Sequence, residues 1–230
     1  STFNNLKNID EPLILWRSSS QWLGGLLFLI ATIGTIGSKQ IRIKPAYLIS
    51  GGASGRNFYK NFNYNFVKIL IIYFFSTIFV IFLYRLSDIR LLDSANLAFT
   101  TISAGGFIPA DNLSSIVKNN FQTFVVSISL LFPIFNFFLI QDVIARQFSL
   151  KNYQEDLNLF LLIILLVFLF YFFVIPEEGF SNVLFAILSS ISTSGISTYS
   201  SNFDLSLFFI LLTIVGGSLI STSSGFKYTR

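Results

Sequence analysis

Two short segments rich in small hydroxyls and glycine carry the chemistry of this 230-residue chain. The first is Ser103-Ala104-Gly105-Gly106-Phe107, entered through Thr101 and Ile102. The second is Thr193-Ser194-Gly195-Ile196-Ser197. Neutral carbonyl and hydroxyl oxygens on a non-helical strand suit a desolvated cation, because they replace its hydration shell. The backbone oxygens of Ala104, Gly105, Ser194 and Gly195 are the expected ligands. Gly105 and Gly195 are expected at positive φ, which only Gly adopts freely and which turns carbonyls toward a common axis. Thr101, Ser103, Thr193 and Ser197 add hydroxyls that coordinate or brace. Neutral ligands favour a monovalent ion over Ca²⁺, which usually takes carboxylates. One such segment is a weak signal, since Ser/Gly turns are common in loops. Two in equivalent frames, roughly 90 residues apart, point to one pore assembled from repeats.

Composition excludes most other chemistry. The chain has no Cys, which removes disulfides and thiolate metal sites, and no His, the commonest general base and metal ligand. No carboxylate pair lies inside an apolar run, so the chain is not expected to be an enzyme. Charged residues make up 11% of the chain and hydrophobic ones 53%, whereas a soluble domain carries about 25% charged residues. A mean hydropathy of +0.71 and several apolar runs of spanning length predict an all-α integral membrane protein. The net charge of +4 does not point to nucleic acid, because the basic residues sit between membrane segments. The chain has no Met and starts at Ser1, and it reads as a fragment that opens and closes beside motifs.

The elements that hold the two segments follow from the apolar runs. Residues 22–36 are short for a crossing of about 20 residues and contain Gly24, Gly25 and Gly34, so with Leu13 to Trp16 they are expected to form a broken or partly re-entrant helix. Residues 38–63 carry Lys39, Arg42, Lys44, Arg56 and Lys60 and no acid, which predicts a cytoplasmic position. Phe66 to Tyr84 is the second span, with Lys68 snorkelling to the interface. Residues 85–120 lie outside and include a short helix from Asp93 to Ile102, capped by Asp93 or Ser94. Phe121 to Ala145 is the third span, kinked at Pro133. Asn136 within it either joins two helices or supports the pore wall. Leu157 to Ile175 is uncharged and is expected to face lipid or lie at the bundle perimeter. Glu177, Glu178 and Asp204 make the next external stretch acidic, as a vestibule that gathers cations or as a solvated turn. Ser181 to Ile191 is the second short helix. The last inward segment starts at Leu205 and breaks at Gly216-Gly217, because the Ser/Thr-rich run that follows does not favour helix. Lys227 and Arg230 mark the cytoplasmic end.

These residues resemble a known family. Leu15-Trp16-Arg17, Gln21-Trp22-Leu23-Gly24-Gly25, Phe99 to Phe107, Ser190 to Thr198 and the run from Gly216-Gly217-Ser218 through Ser221-Thr222 to Gly225-Phe226-Lys227 and Arg230 resemble the potassium-translocating subunits of the Trk/Ktr/HKT superfamily, the TrkH type most closely. The resemblance covers nearly the whole chain. It implies repeated M1–pore helix–filter–M2 units packed pseudo-symmetrically around a cation-channel-like pore. On that pattern residues 1–62 are the end of the first repeat, a second helix with a basic cytoplasmic loop. Residues 63–150 are the second repeat, and residues 151–230 the third. The resemblance implies filters at the two segments named above and a gate loop containing Gly216, Gly217, Ser218, Ser221, Thr222 and Gly225. It implies uptake of K⁺, with Na⁺ the other candidate ion, across a bacterial cytoplasmic membrane, without a covalent cofactor. Implied partners are membrane lipid, a second copy in a homodimer and a cytosolic nucleotide-binding regulatory subunit of the TrkA/KtrA type. Ile220 stands where the family usually has Gly, and Ser223 and Ser224 replace two more, changes expected to stiffen the loop. Ile196 stands where Phe is frequent. Two alternatives remain at this point. One is a non-conducting fragment, since a pore needs four walls. The other is a solute carrier with a midplane site, although only Lys68 and Asp142 lie near the spans.

Overall fold

The structure, a computed structural model, describes residues 10–36, 62–144, 153–175, 179–197 and 206–225. The basic stretch 38–61, Glu177, Glu178, Asp204, Lys227 and Arg230 fall outside them. Helix α1 is Glu11–Ile36, α2 Phe62–Leu86 and α3 Leu91–Ile102. Next come α4 (Asn120–Ser129), α5 (Leu131–Ile134) and α6 (Phe137–Ile144). Then α7 (Gln154–Leu169) runs into a π-helical turn, Phe170–Val174, and is followed by α8 (Phe180–Ile191) and α9 (Ser206–Val215). Among the described residues there is no strand.

Among the described residues, three helical stretches are long and apolar enough to cross a membrane: Glu11–Ile33, Phe66–Leu86 and Gln154–Val174. The chain is a multi-pass membrane protein. Helix is the form such runs must take, because hydrocarbon offers no partner to a free N–H or C=O. The same reasoning corrects the expectation of a broken first helix. Helix α1 runs unbroken through Gly24-Gly25, since about 1 kcal/mol per helical Gly is less than the cost of unpaired backbone groups in an apolar medium. Gly25 permits a close approach instead. A Cβ there would lie 2.7 Å from Ser103 Cβ and 2.8 Å from the Tyr73 hydroxyl. The contact is fixed by polar ties: Trp22 Nε1 donates to Thr77 Oγ1 (2.9 Å) and the Tyr73 hydroxyl donates to the Trp22 carbonyl (2.9 Å).

Helix α3 starts earlier than its sequence suggests. Arg90 is its N-cap, without a side-chain bond, so neither Asp93 nor Ser94 caps it. Ser94 is buried and donates to the Ile89 carbonyl at 3.2 Å. Asp93 lies in the first turn, where a carboxylate meets the positive end of the helix dipole. The third span is broken more deeply than a proline kink. Its helix stops at Ser129, restarts for one turn at Leu131–Ile134 and restarts again at Phe137. Asn136 links two helices, through its backbone rather than through its side chain. Its side-chain oxygen accepts the Phe138 N–H (3.0 Å), capping α6, while its own N–H donates to Asp156 Oδ1 on α7 (2.9 Å). Helix α7 buries Leu159, Ile163 and Val167, the turn after it buries Phe170, and α7 exposes Phe160, Leu161, Ile164, Leu165 and Phe168. One buried stripe at helical spacing places it at the perimeter.

Candidate functional site

The two hydroxyl- and glycine-rich segments fold alike, and the match runs at an offset of 89 residues. Helix α3 ends at Ile102 and α8 at Ile191. After each, one non-glycine residue turns left-handed, Ala104 at φ 55° and Thr193 at φ 60°, and two residues on a glycine does the same, Gly106 at φ 82° and Gly195 at φ 63°. The Ala104 N–H donates to the Thr101 carbonyl (3.2 Å), and the Thr193 N–H donates to the Ser190 carbonyl (3.0 Å). Further back, a hydroxyl of the short helix donates to the carbonyl seven residues ahead: Thr100 to Phe107 and Ser189 to Ile196. The expectation that Gly105 takes positive φ is therefore corrected. Gly106 does so, and Gly105 stands opposite Ser194.

Positive φ at every second residue is an arrangement that L-residues resist. A left-handed residue costs roughly 1–2 kcal/mol when it carries a side chain, and such strain persists only where the surroundings enforce it. At Thr193 the surroundings are visible: its hydroxyl accepts the Ser224 N–H at 2.9 Å.

The segments also meet. A Cβ on Gly106 would overlap the Ser194 carbonyl oxygen and lie 3.2 Å from its carbonyl carbon. Gly106 thus abuts the backbone of the other segment, and only the lack of a side chain allows it. Gly105 is held from behind. A Cβ there would collide with the Gln21 side chain, and Gln21 Oε1 lies 2.6 Å from Thr100 Oγ1. Thr100 has one proton, which goes to the Phe107 carbonyl, so the pair is satisfied when the Gln21 amide is turned to donate. Helix α1 also sends Arg17 across: Nη2 donates to the Ile108 carbonyl (3.3 Å) and the guanidinium lies 4.5 Å from the Phe107 ring centre. Behind the second segment, Ser192 Oγ lies 3.0 Å from Ser194 Oγ, and both hydroxyls donate to the Ser189 carbonyl.

Residues Gly216 to Ser223 are buried and non-helical, as their composition predicts, and they fill the break in the third span. Ser218 N–H donates to the Ile134 carbonyl (2.8 Å), Ser223 N–H to the Pro133 carbonyl (3.0 Å), and Phe137 N–H to the Ile220 carbonyl (3.0 Å). The backbone groups that the broken helix cannot satisfy are thereby matched to those of the loop. Within the loop, Ser223 Oγ accepts the Gly217 N–H (2.9 Å) and lies 2.9 Å from Ser221 Oγ. Thr222 donates to the Ile102 carbonyl, the last of helix α3, at 2.7 Å. With Ser224 bonded to Thr193, the loop touches the base of both segments. An open cavity of about 550 Å³ lined by Thr193, Thr213, Ile214, Ser224 and Gly225 lies beside that junction.

The structure therefore brings together Ser103 to Phe107, Thr193 to Ile196 and the stretch Gly216 to Gly225. Ser197 is exposed. Thr100, Ser189 and Gln21 are the site residues that sequence reading passed over. The seven-residue step from Thr100 to Phe107 and from Ser189 to Ile196 is the sequence signal for the two hydroxyls, and Gln21 stands in the segment Gln21 to Gly25 that carries part of the resemblance. Near the ends of α1 and α3, Arg90 donates to Glu11 Oε1 (2.6 Å), an exposed pair that contributes little. Burial pushes the Asp93 carboxyl above the usual range, with the Arg90 charge opposing. No group of three or more metal-ligating side chains occurs among the described residues.

Comparison with known proteins gives a consistent picture. No known family profile matches the chain. An uncharacterized cation transporter of Methanocaldococcus jannaschii is 24% identical, over 98% of this chain and 47% of its own length. The crystal structure of the potassium transporter TrkH from Vibrio parahaemolyticus superposes with a TM-score of 0.74 and 20% identity, covering 96% of this chain and 47% of that one. The chain spans about half the length of the relatives it matches. Its fold is the one seen in TrkH: an all-α membrane architecture in which a span, a short helix, a loop and a second span recur.

Proposed function

We propose that this chain forms two adjoining walls of a pore that takes up K⁺ across the cytoplasmic membrane, as part of a TrkH-type membrane subunit. The observation that carries the reading is the repeat itself: two helix–loop segments, 89 residues apart, with the same alternation of φ and the same hydroxyl-to-carbonyl tie, packed backbone to backbone at Gly106 and Ser194. Non-helical backbone at membrane depth is tolerated only where protein covers it or where it lines a watery cavity. The carbonyls of residues 104–106 and 193–195 are the ion ligands on this reading, and Gly216 to Gly225 is a gate directly beneath them. No step requires chemistry from the chain. An inside-negative potential supplies about 2.3 kcal/mol per unit charge per 100 mV. The likeness to TrkH and to a cation transporter supports the ion class. On the same reading the subunit pairs with a second copy and takes a cytosolic nucleotide-binding subunit of the TrkA type as regulator.

The test is Rb⁺ uptake, as a tracer for K⁺, in bacteria lacking their own K⁺ uptake, with the protein produced from its natural reading frame. Growth at low K⁺ and saturable Rb⁺ entry are expected. Absence of both, with the protein present in the membrane, would refute the reading.

A further inference from the structure

Arg17 is a cation set beside a path for cations, and no general need of the fold explains it. It lies one helical turn before Gln21 on α1, so the two share a face. Gln21 contacts the middle of the first segment, and Arg17 contacts its far end. The guanidinium is fixed on two sides, by the Ile108 carbonyl at 3.3 Å and the face of Phe107 at 4.5 Å. No carboxylate pairs with it among the described residues. It is half-buried, so its charge is not fully dispersed in water. A pore that merely gathered cations would place an acid here.

We infer that Arg17 sets selectivity by valence, holding a fixed positive charge at the end of the first carbonyl segment so that divalent cations are rejected more strongly than K⁺. The inference rests on the pore reading above. Repulsion energy scales with the charge of the ion, so whatever factor Arg17 imposes on a monovalent ion it imposes squared on a divalent one. A unit charge ~10 Å away across water lowers local monovalent concentration about twofold and divalent about fourfold. Salt screens the effect, since the Debye length falls from about 30 Å at 0.01 M to about 3 Å at 1 M ionic strength. The carbonyl bond and the ring contact hold the charge in place.

The experiment is Rb⁺ uptake by the protein as its gene encodes it, with Ba²⁺ as blocker, for wild type, Arg17→Gln and Arg17→Lys. At low ionic strength Arg17→Gln is expected to lower the half-saturating Rb⁺ concentration about twofold and the half-blocking Ba²⁺ concentration about fourfold. Both shifts should vanish at high salt, and Arg17→Lys should stay close to wild type. Equal factors for the two ions, shifts that survive high salt, or an Arg17→Lys that behaves as Arg17→Gln would overturn the inference while leaving the pore reading intact. Failure of wild type to take up Rb⁺ would sink the pore reading itself, and the inference with it. Should Arg17→Gln fail to reach the membrane, Arg17→Cys replaces it, with any cysteine that the gene encodes outside these 230 residues changed to Ser; the 230 residues themselves contain none. Modification of that thiol by a cationic methanethiosulfonate should restore divalent rejection, and an anionic reagent should abolish it. Identical effects of the two reagents would count against a charge mechanism.

Discussion

Replacing Gly106 by Ala tests the meeting of the two segments with one methyl group. The new Cβ faces two penalties that can be separated. Its backbone sits at φ 82°, where a side chain costs roughly 1–2 kcal/mol. The Cβ also falls on the Ser194 carbonyl oxygen, 3.2 Å from its carbon, and forcing extra volume into a packed site costs a further ~1–3 kcal/mol. The sum is ~2–5 kcal/mol, and the carbonyl that must retreat is one of the proposed ion ligands. Two other glycines serve as controls. Gly195 shares the strain, at φ 63°, but a Cβ there meets nothing within 4 Å, so Gly195→Ala should lose only the ~1–2 kcal/mol of strain. Gly24 is helical with open space around it, so Gly24→Ala should be neutral or gain ~0.5–1 kcal/mol. Thermal midpoints of the purified protein in detergent and initial Rb⁺ uptake rates should both rank Gly24→Ala first, Gly195→Ala second and Gly106→Ala last. If Gly106→Ala matched Gly195→Ala in both assays, the backbone contact between the segments would be wrong.

Three further outcomes follow from the same geometry. Gly105→Ala should impair uptake because its Cβ strikes Gln21, and the double variant with Gln21→Ala should recover part of the loss; uptake no better in the double variant would show that Gln21 is not the obstacle. Thr222→Val removes the bond to the Ile102 carbonyl, a loss of ~1 kcal/mol that should loosen the loop and raise resting Rb⁺ leak; an unchanged leak would argue that the loop is not a barrier. Tyr84→Phe deletes a buried hydroxyl that bonds Ser129 and lies 3.4 Å from Thr101 Oγ1, and should lower stability by ~1–3 kcal/mol, read as a fall in thermal midpoint.

What the sequence made legible follows from how each feature is encoded. Phe66 to Tyr84 and Leu157 to Ile175 announce themselves because a membrane demands a contiguous apolar run, which needs no tertiary knowledge to see. The short helices were legible through their amphipathic faces, to within two residues. The pairing of the segments was legible only approximately. Matching Gly105 to Gly195 by letter puts the offset one residue out, because the backbone pairs Gly106 with Gly195 and admits Thr193 at positive φ, a strain that no local rule favours. Gly24-Gly25 reads as a breaker from propensity alone, yet in hydrocarbon the helix continues and the missing side chains serve contact with Ser103 and Tyr73. Asn136 suggested a link between helices; its role as a cap depends on a break that Pro133 alone does not explain, since the loop Gly216 to Gly225 fills it from 80 residues away. Gln21 was missed because its partner, Thr100, lies 79 residues away, and Thr100 and Ser189 because their bonds to the carbonyls of Phe107 and Ile196 exist only once the chain has turned back at positive φ.

The most direct measurement is the location of bound ions by anomalous scattering, in crystals of the natural protein soaked in Rb⁺ or Tl⁺. Ordered peaks are expected between the carbonyls of residues 104–106 and 193–195. Ordered ions found elsewhere, with none between these two segments, would contradict the proposal that they are walls of one cation path.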